Sequence, residues 1–166
     1  MEGKGTDMKT LCLYYTRTNS TKKAMERLAE LTGADLAEYT DGKDRSGWLG
    51  YLGACIASMK KTFPKVHIKG EPDLRTYDRV VIGMPVWAEA PSVVGRAFIR
   101  KYRKKLPDQV YYAVTHMAKT EYTEKIKAMD RLLGRPSAGQ VSLRTKDHDV
   151  LQDVEAFAKV LQQADL

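Results

Sequence analysis

The chain has 166 residues, and its 28 Lys and Arg against 21 Asp and Glu give a formal net charge of +7. Apolar residues make up 43% and charged residues 30%, a globular composition that excludes a disordered chain. No stretch holds the roughly 20 apolar residues of a membrane-spanning helix, so neither membrane insertion nor a multidomain array is expected at this length.

Residues 1–8 read as a mobile tail, and residues 9–166 as a single domain. No apolar run of signal-peptide length follows the tail, so a cytoplasmic location is expected. Its "GKGT" is similar to part of a phosphate-binding loop, but it lacks the preceding strand and the first spaced glycine. Five strands are then predicted in chain order: 9–15, 34–39, 79–85, 109–115 and 139–144. The third, "RVVIGMP", is the most continuous apolar run, as for a strand covered on both faces. Helical periodicity falls between them over 20–32, 48–61, 92–105, 121–133 and 148–163. Gly33 and Gly134 are placed to end the first and fourth of the long helices. Strand and helix alternate, which predicts a three-layer α/β/α sandwich around a five-stranded parallel sheet with right-handed crossovers.

Cys12 lies in a strand pattern and Cys55 in a small-residue helix pattern, with no C-x-x-C spacing; both read as free thiols of a reducing compartment. His67, His116 and His148 are too scattered to suggest a metal site, and none is expected. Six basic residues crowd Arg96 to Lys105. At helical spacing Val94, Ala97, Phe98 and Tyr102 face a core, while Arg96, Arg100, Lys101, Arg103 and Lys104 point largely elsewhere. Such a face is either a solvated surface or a docking site for an acidic partner.

The junction "TRTNST" between the first strand and the first helix carries the chemistry. A strand-to-helix loop offers unpaired backbone N–H groups and the positive end of the helix dipole. Helix capping uses one Ser, Thr or Asn; five stand here in six positions. Anion binding by Thr16, Thr18, Ser20 and Thr21 is therefore preferred to capping. No G-x-G-x-x-G or G-x-x-x-x-G-K-[ST] is present, so a single terminal phosphate suits the loop better than a pyrophosphate or triphosphate. Trp87, just after the third strand, reads either as core or as a ligand wall. In a sheet of order 2-1-3-4-5 it shares the switch-point crevice with the first loop.

Taken together, "TRTNST", "YDRVVIGMPVWAEAPSVVGRAFI" and "DRSGWLGYLGACIASM" resemble the flavodoxin-like FMN-binding family, in particular a short-chain subset without assigned functions. The resemblance runs from about Lys9 to Leu161. It implies the flavodoxin-like order 2-1-3-4-5, FMN as cofactor, and phosphate contacts from Thr16, Arg17, Thr18, Asn19, Ser20 and Thr21. It further implies that Pro85, Val86, Trp87 and Ala88 line the isoalloxazine ring, with Trp87 stacking on it, and that Thr115, His116, Met117 and Ala118 flank the flavin. The family prefers Gly and Asn where Asn19 and Ser20 stand, and the third loop lacks the glycines often found there; both departures point to weak FMN binding. The implied role is electron transfer, with a small NAD(P)H-dependent FMN reductase as the alternative. The expected partner is an acidic redox protein rather than nucleic acid, and a homodimer stays open.

Overall fold

The computed structural model of the chain describes residues 8–59, 63–146 and 149–166. It contains seven strands: β1 (Thr10–Tyr14), β2 (Asp35–Thr40), β3 (His67–Ile68), β4 (Arg79–Trp87), β5 (Ala90–Pro91), β6 (Gln109–His116) and β7 (Gly139–Arg144). Its helices are α1 (Ser20–Thr32), α2 (Gly47–Met59), α3 (Val93–Tyr102), α4 (Thr123–Lys127), α5 (Asp130–Leu133) and α6 (Val150–Gln163). The five long strands are parallel in the order β2-β1-β4-β6-β7, which is the expected 2-1-3-4-5.

Alternation along each strand divides the core into two layers. Leu11 and Leu13 of β1, Ile82 of β4 and Tyr112 of β6 pack with Phe98 and Ile99 of α3, Ile126 of α4 and Leu133 of α5. On the opposite face Cys12, Val81 and Ala113 meet Met25 and Leu28 of α1 and Phe157 and Leu161 of α6. Helix α1 buries Thr21, Ala24, Met25, Leu28 and Ala29, the i, i+3, i+4 stripe of an amphipathic helix. It ends at Gly33, whose positive φ of 66° lets its N–H reach the Ala29 carbonyl. Tyr39 ties β2 to β4: its hydroxyl donates to the Gly83 carbonyl at 2.9 Å and its ring stacks on Phe98 at 4.3 Å. At the amino-terminal edge of the sheet Arg79, only 2% exposed, bonds Asp165 near the carboxyl terminus and Gln109 at 3.2 Å. That edge carries structure, leaving the carboxyl ends of the strands for the loops.

Several boundaries depart from the sequence expectation. The sheet has two additional antiparallel strands of two residues each, β3 against β2 and β5 against β4. Because β5 folds back, β4 continues through Trp87, so the indole ends a strand rather than opening a loop. The helix expected over 121–133 is two short ones, since Met129 and Arg131 donate to residues three back (Ile126 at 3.0 Å and Ala128 at 3.3 Å), tightening the chain between them. The Met8 sulfur lies 3.5 Å from an Arg79 nitrogen. The rest of the expected tail, residues 60 and 61 of the expected second helix, and His148 fall outside the described residues. Among the described residues no helix is long and apolar enough to cross a membrane.

Candidate functional site

A cleft opens at the carboxyl end of β1, β4 and β6. Its first wall is the expected loop. The Tyr15 N–H still reaches the Gly83 carbonyl at 3.1 Å, after which the chain leaves the sheet. Asn19 then turns it into α1 with φ 68° and ψ −1°. This is the left-handed conformation that Asn tolerates better than other residues with a side chain, so Asn19 does the work of the missing glycine. Its side chain makes no capping bond, and capping does not account for the hydroxyls. Thr16, Arg17, Thr18, Ser20 and Thr21 all line the cleft. The Thr16 hydroxyl is buried with no hydrogen-bond partner, a costly state for a polar group unless a ligand completes it.

Thr21 is committed on one side. Its hydroxyl lies 2.7 Å from that of Thr115, both buried, and joins the first turn of α1 to the end of β6. Only one of these hydroxyls can spend its hydrogen in the shared bond; the other keeps its hydrogen for an acceptor in the cleft. Arg17 reaches sideways. Its Nη1 donates to the Arg45 and Gly47 carbonyls at 3.4 and 3.5 Å, and its guanidinium lies 5.3 Å from the Tyr51 ring centre. Its charge therefore stays beside the hydroxyl wall, held by carbonyl oxygens.

The second wall comes from β4. Pro85 and Val86 are half-buried and line the cleft. Trp87 also lines it, but is only 3% exposed. Tyr15 packs edge-on against the indole at 5.5 Å, and the Arg45 guanidinium sits 5.3 Å from its centre. The indole thus packs against Tyr15, just after β1, and against Arg45 from the loop before α2, while still lining the cleft. Its Nε1–H is buried without a partner. Arg45 is itself held by Asp41 through contacts of 2.6 and 2.7 Å, with the two side chains 7% and 1% exposed. Ala88 is exposed, in the turn beyond, and outside the lining.

The third wall is the end of β6. Thr115, His116 and Met117 line the cleft, whereas Ala118 and Asn19 do not. His116 is tied on both nitrogens. Nδ1 lies 2.9 Å from the Ala118 carbonyl, which can only accept, so Nδ1 carries a hydrogen and Nε2 is left to accept from the Ser142 hydroxyl at 2.7 Å. The ring also packs edge-on against Tyr122 at 5.0 Å. These contacts tie the loop to β7. Met117, by contrast, is 56% exposed.

Two lining residues were missed. Thr145 follows β7 at the same sheet edge and donates its N–H to the His116 carbonyl at 2.8 Å; the rule that ligands sit at strand carboxyl ends would have found it. Tyr51 comes from α2. Its helix crosses so close to the preceding loop that a Cβ on Gly50 would stand 2.2 Å from the Arg45 carbonyl, and that approach brings Tyr51 over the cleft. Among the described residues the lining contains no carboxylate and no thiol. What remains is a hydroxyl and guanidinium wall at a helix N-terminus, beside apolar surface from Pro85, Val86, Trp87 and Met117.

No protein-family model matches the chain, and no curated protein is similar enough to match it. Solved structures are. A flavoprotein in complex with FMN from Lactobacillus acidophilus aligns with TM-score 0.67 at 23% identity, over 81% of this chain and 93% of that one. A Bacteroides eggerthii protein classed provisionally as a flavoprotein aligns with TM-score 0.74 at 19% identity, over 93% and 98%. Oxidised flavodoxin 2 from Bacillus cereus aligns with TM-score 0.59 at 13% identity, over 94% and 99%. The fold is flavodoxin-like.

Proposed function

We propose that the chain binds FMN in this cleft, phosphate toward Thr16, Arg17, Thr18, Ser20 and Thr21, and acts as an electron-transfer protein. The observation that carries the reading is the buried Thr16 hydroxyl without a partner, set in a hydroxyl-lined wall at the N-terminus of a 13-residue helix. A phosphate dianion satisfies that hydroxyl, and the helix dipole and the Arg17 charge favour it. The Trp87 Nε1–H, equally unpartnered, offers a donor to the polar edge of the ring. Similarity to a flavoprotein in complex with FMN supports the choice of mononucleotide. Bound FMN would supply one- and two-electron redox chemistry; this chain's residues would hold the phosphate and set the local charge.

The proposed partner is an acidic redox protein, drawn by the +7 charge and by Arg100, Lys101, Arg103 and Lys104, all exposed at the end of α3. A cytoplasmic location is proposed with it, in keeping with the free Cys12 and Cys55.

Titration of the protein with FMN and with riboflavin, which lacks the phosphate, tests the reading. FMN should bind at least about tenfold more tightly, because hydrogen bonds to a charged group contribute about 1.5–3 kcal/mol each. Thr16→Val removes only the hydroxyl and should weaken FMN by about 10–100-fold while leaving riboflavin unchanged. Equal affinity for the two flavins would overturn the proposal. Rapid reduction of the bound flavin by NADPH alone would instead favour the reductase.

A further inference from the structure

Helix α2 is built unlike the other long helices. Its sequence, GWLGYLGACIASM, contains no charged side chain, and of its 13 residues Ala54 alone is buried. Six large side chains stand in water: Trp48 is 70% exposed, Leu49 77%, Met59 78%, Ile56 55%, Tyr51 46% and Leu52 38%. At roughly 150–250 Å² for a large side chain, they leave on the order of 700 Å² of mostly apolar surface uncovered. The largest apolar patch on a monomer usually spans about 300–600 Å². Each partner in a standard protein interface buries about 800 Å². The patch is nearly a whole half-interface, and its lack of charge is the mark of an interface centre.

The same face also carries a hole. A shallow groove of about 470 Å³ runs beside the helix, lined by Leu49, Gly53 and Ile56 and by Lys43, Asp44 and Arg45. A Cβ on Gly53 would meet nothing within 4 Å, so the groove is open at the helix backbone. Protruding Trp48 and Leu52 and this groove thus lie on one surface, with an exposed cation, Lys43, and an exposed anion, Asp44, at its rim. A contact between two identical surfaces requires that combination of knob, hole and opposite charges on a single patch.

We propose that α2 is the contact face of a homodimer, in which the two copies of α2 pair across a two-fold axis and the knobs of each fill the groove of the other. The inference is independent of the FMN reading, although Tyr51 belongs to both the dimer face and the cleft and would place the cleft mouth beside the second copy. The uncharged centre distinguishes this occupant from an anionic membrane or an acidic protein, whose hold on a +7 chain must weaken as salt screens it.

Sedimentation velocity of the full chain from about 1 to about 100 µM is the test. The expected result is a concentration-dependent dimer whose dissociation constant changes by less than about threefold between about 0.05 and about 0.5 M NaCl. Trp48 emission should shift to the blue as the dimer forms, while Trp87, already buried, contributes a constant background. Leu52→Lys and Ile56→Lys, at solvent-facing positions, should each raise the dissociation constant at least about 100-fold, with circular dichroism and thermal midpoint unchanged to show that the fold persists. A chain that stays monomeric throughout overturns the proposal. So does a dimer untouched by both substitutions, or a monomer whose Trp48 emission shifts only on phosphatidylserine-containing vesicles and reverts in salt.

Discussion

Cys12 sits at the middle of β1 with no exposed surface, and burial pushes its thiol from 9.0 up to about 12. Cys55, on α2, is half-buried beside Tyr51. Because the thiolate is the nucleophile, a thiol reagent at pH 8 should modify one equivalent in the folded monomer, more slowly where a second copy covers α2, and the second only after unfolding; Cys55→Ala should abolish the first phase. Two fast equivalents would show that β1 opens. The same burial has a pH consequence. Above about pH 9 the unfolded chain loses the Cys12 proton while the folded chain keeps it until about 12, so unfolding releases a proton and stability falls as pH rises through that window. The difference of about three units is worth about 4 kcal/mol at most. Tyr39, also raised by burial, acts in the same direction. Chemical denaturation between pH 8 and 11 should therefore show a steady loss of stability, smaller in Cys12→Val. Trp87 marks the limit of reading single residues: an indole at the end of a strand fits core or cleft equally well, and its neighbours Tyr15 and Arg45 are both remote in sequence from it.

The turn between β4 and β5 shows the same limit for an element. Val86 pairs with Pro91 and Trp87 with Ala90, leaving the two-residue loop Ala88–Glu89 with φ values of 46° and 62°. Two-residue hairpins favour positive φ at both loop positions, which is why Asn-Gly predominates there. Here neither residue is glycine or asparagine, so no turn signal was visible and the hairpin went unread. The left-handed conformation costs a residue with a Cβ about 1–2 kcal/mol, partly offset by the greater freedom of glycine in the unfolded chain. Glu89→Gly should thus stabilise by about 0.5–1 kcal/mol, or about 1–4 °C in Tm for a chain of this size. The lost Lys125 contact, 3.6 Å with Glu89 84% exposed, contributes little. A lower Tm would mean that the turn is held by something other than its backbone. The parallel strands were legible for the converse reason: continuous apolar runs such as 79–85 require cover on both faces, and that condition nearly determines the layers. Helix α2 obeyed no such rule, because apolar residues all round a helix signal burial, and here they face water.

For the whole molecule the open question is where the net charge acts. Much of it pairs off or lies far from the cleft. Arg45 is spent on Asp41, and Arg79 on Asp165 at the far edge of the sheet. Glu89, the acidic residue that follows β4 most closely, lies outside the cleft lining and against Lys125. Arg17 is different: it lines the cleft and is held by neutral carbonyls, so its charge is left to act on a ligand. When bound FMN takes up two electrons with only one proton its ring would carry a negative charge, and a nearby cation would favour that state. One unit charge about 7 Å away at an effective dielectric of about 20 is worth roughly 2 kcal/mol. For a one-electron step, where tenfold corresponds to about 59 mV, this is about 100 mV. Arg17→Gln should therefore move the potential of the reconstituted protein to more negative values by tens of millivolts, with about 100 mV as the upper bound. Salt should shrink the difference, because the cleft is open to solvent. Potentiometric titration of wild type and variant at two ionic strengths decides the matter. Identical potentials would mean that the Arg17 charge is screened before it reaches the ring, and that the basic character of the chain serves partner capture alone.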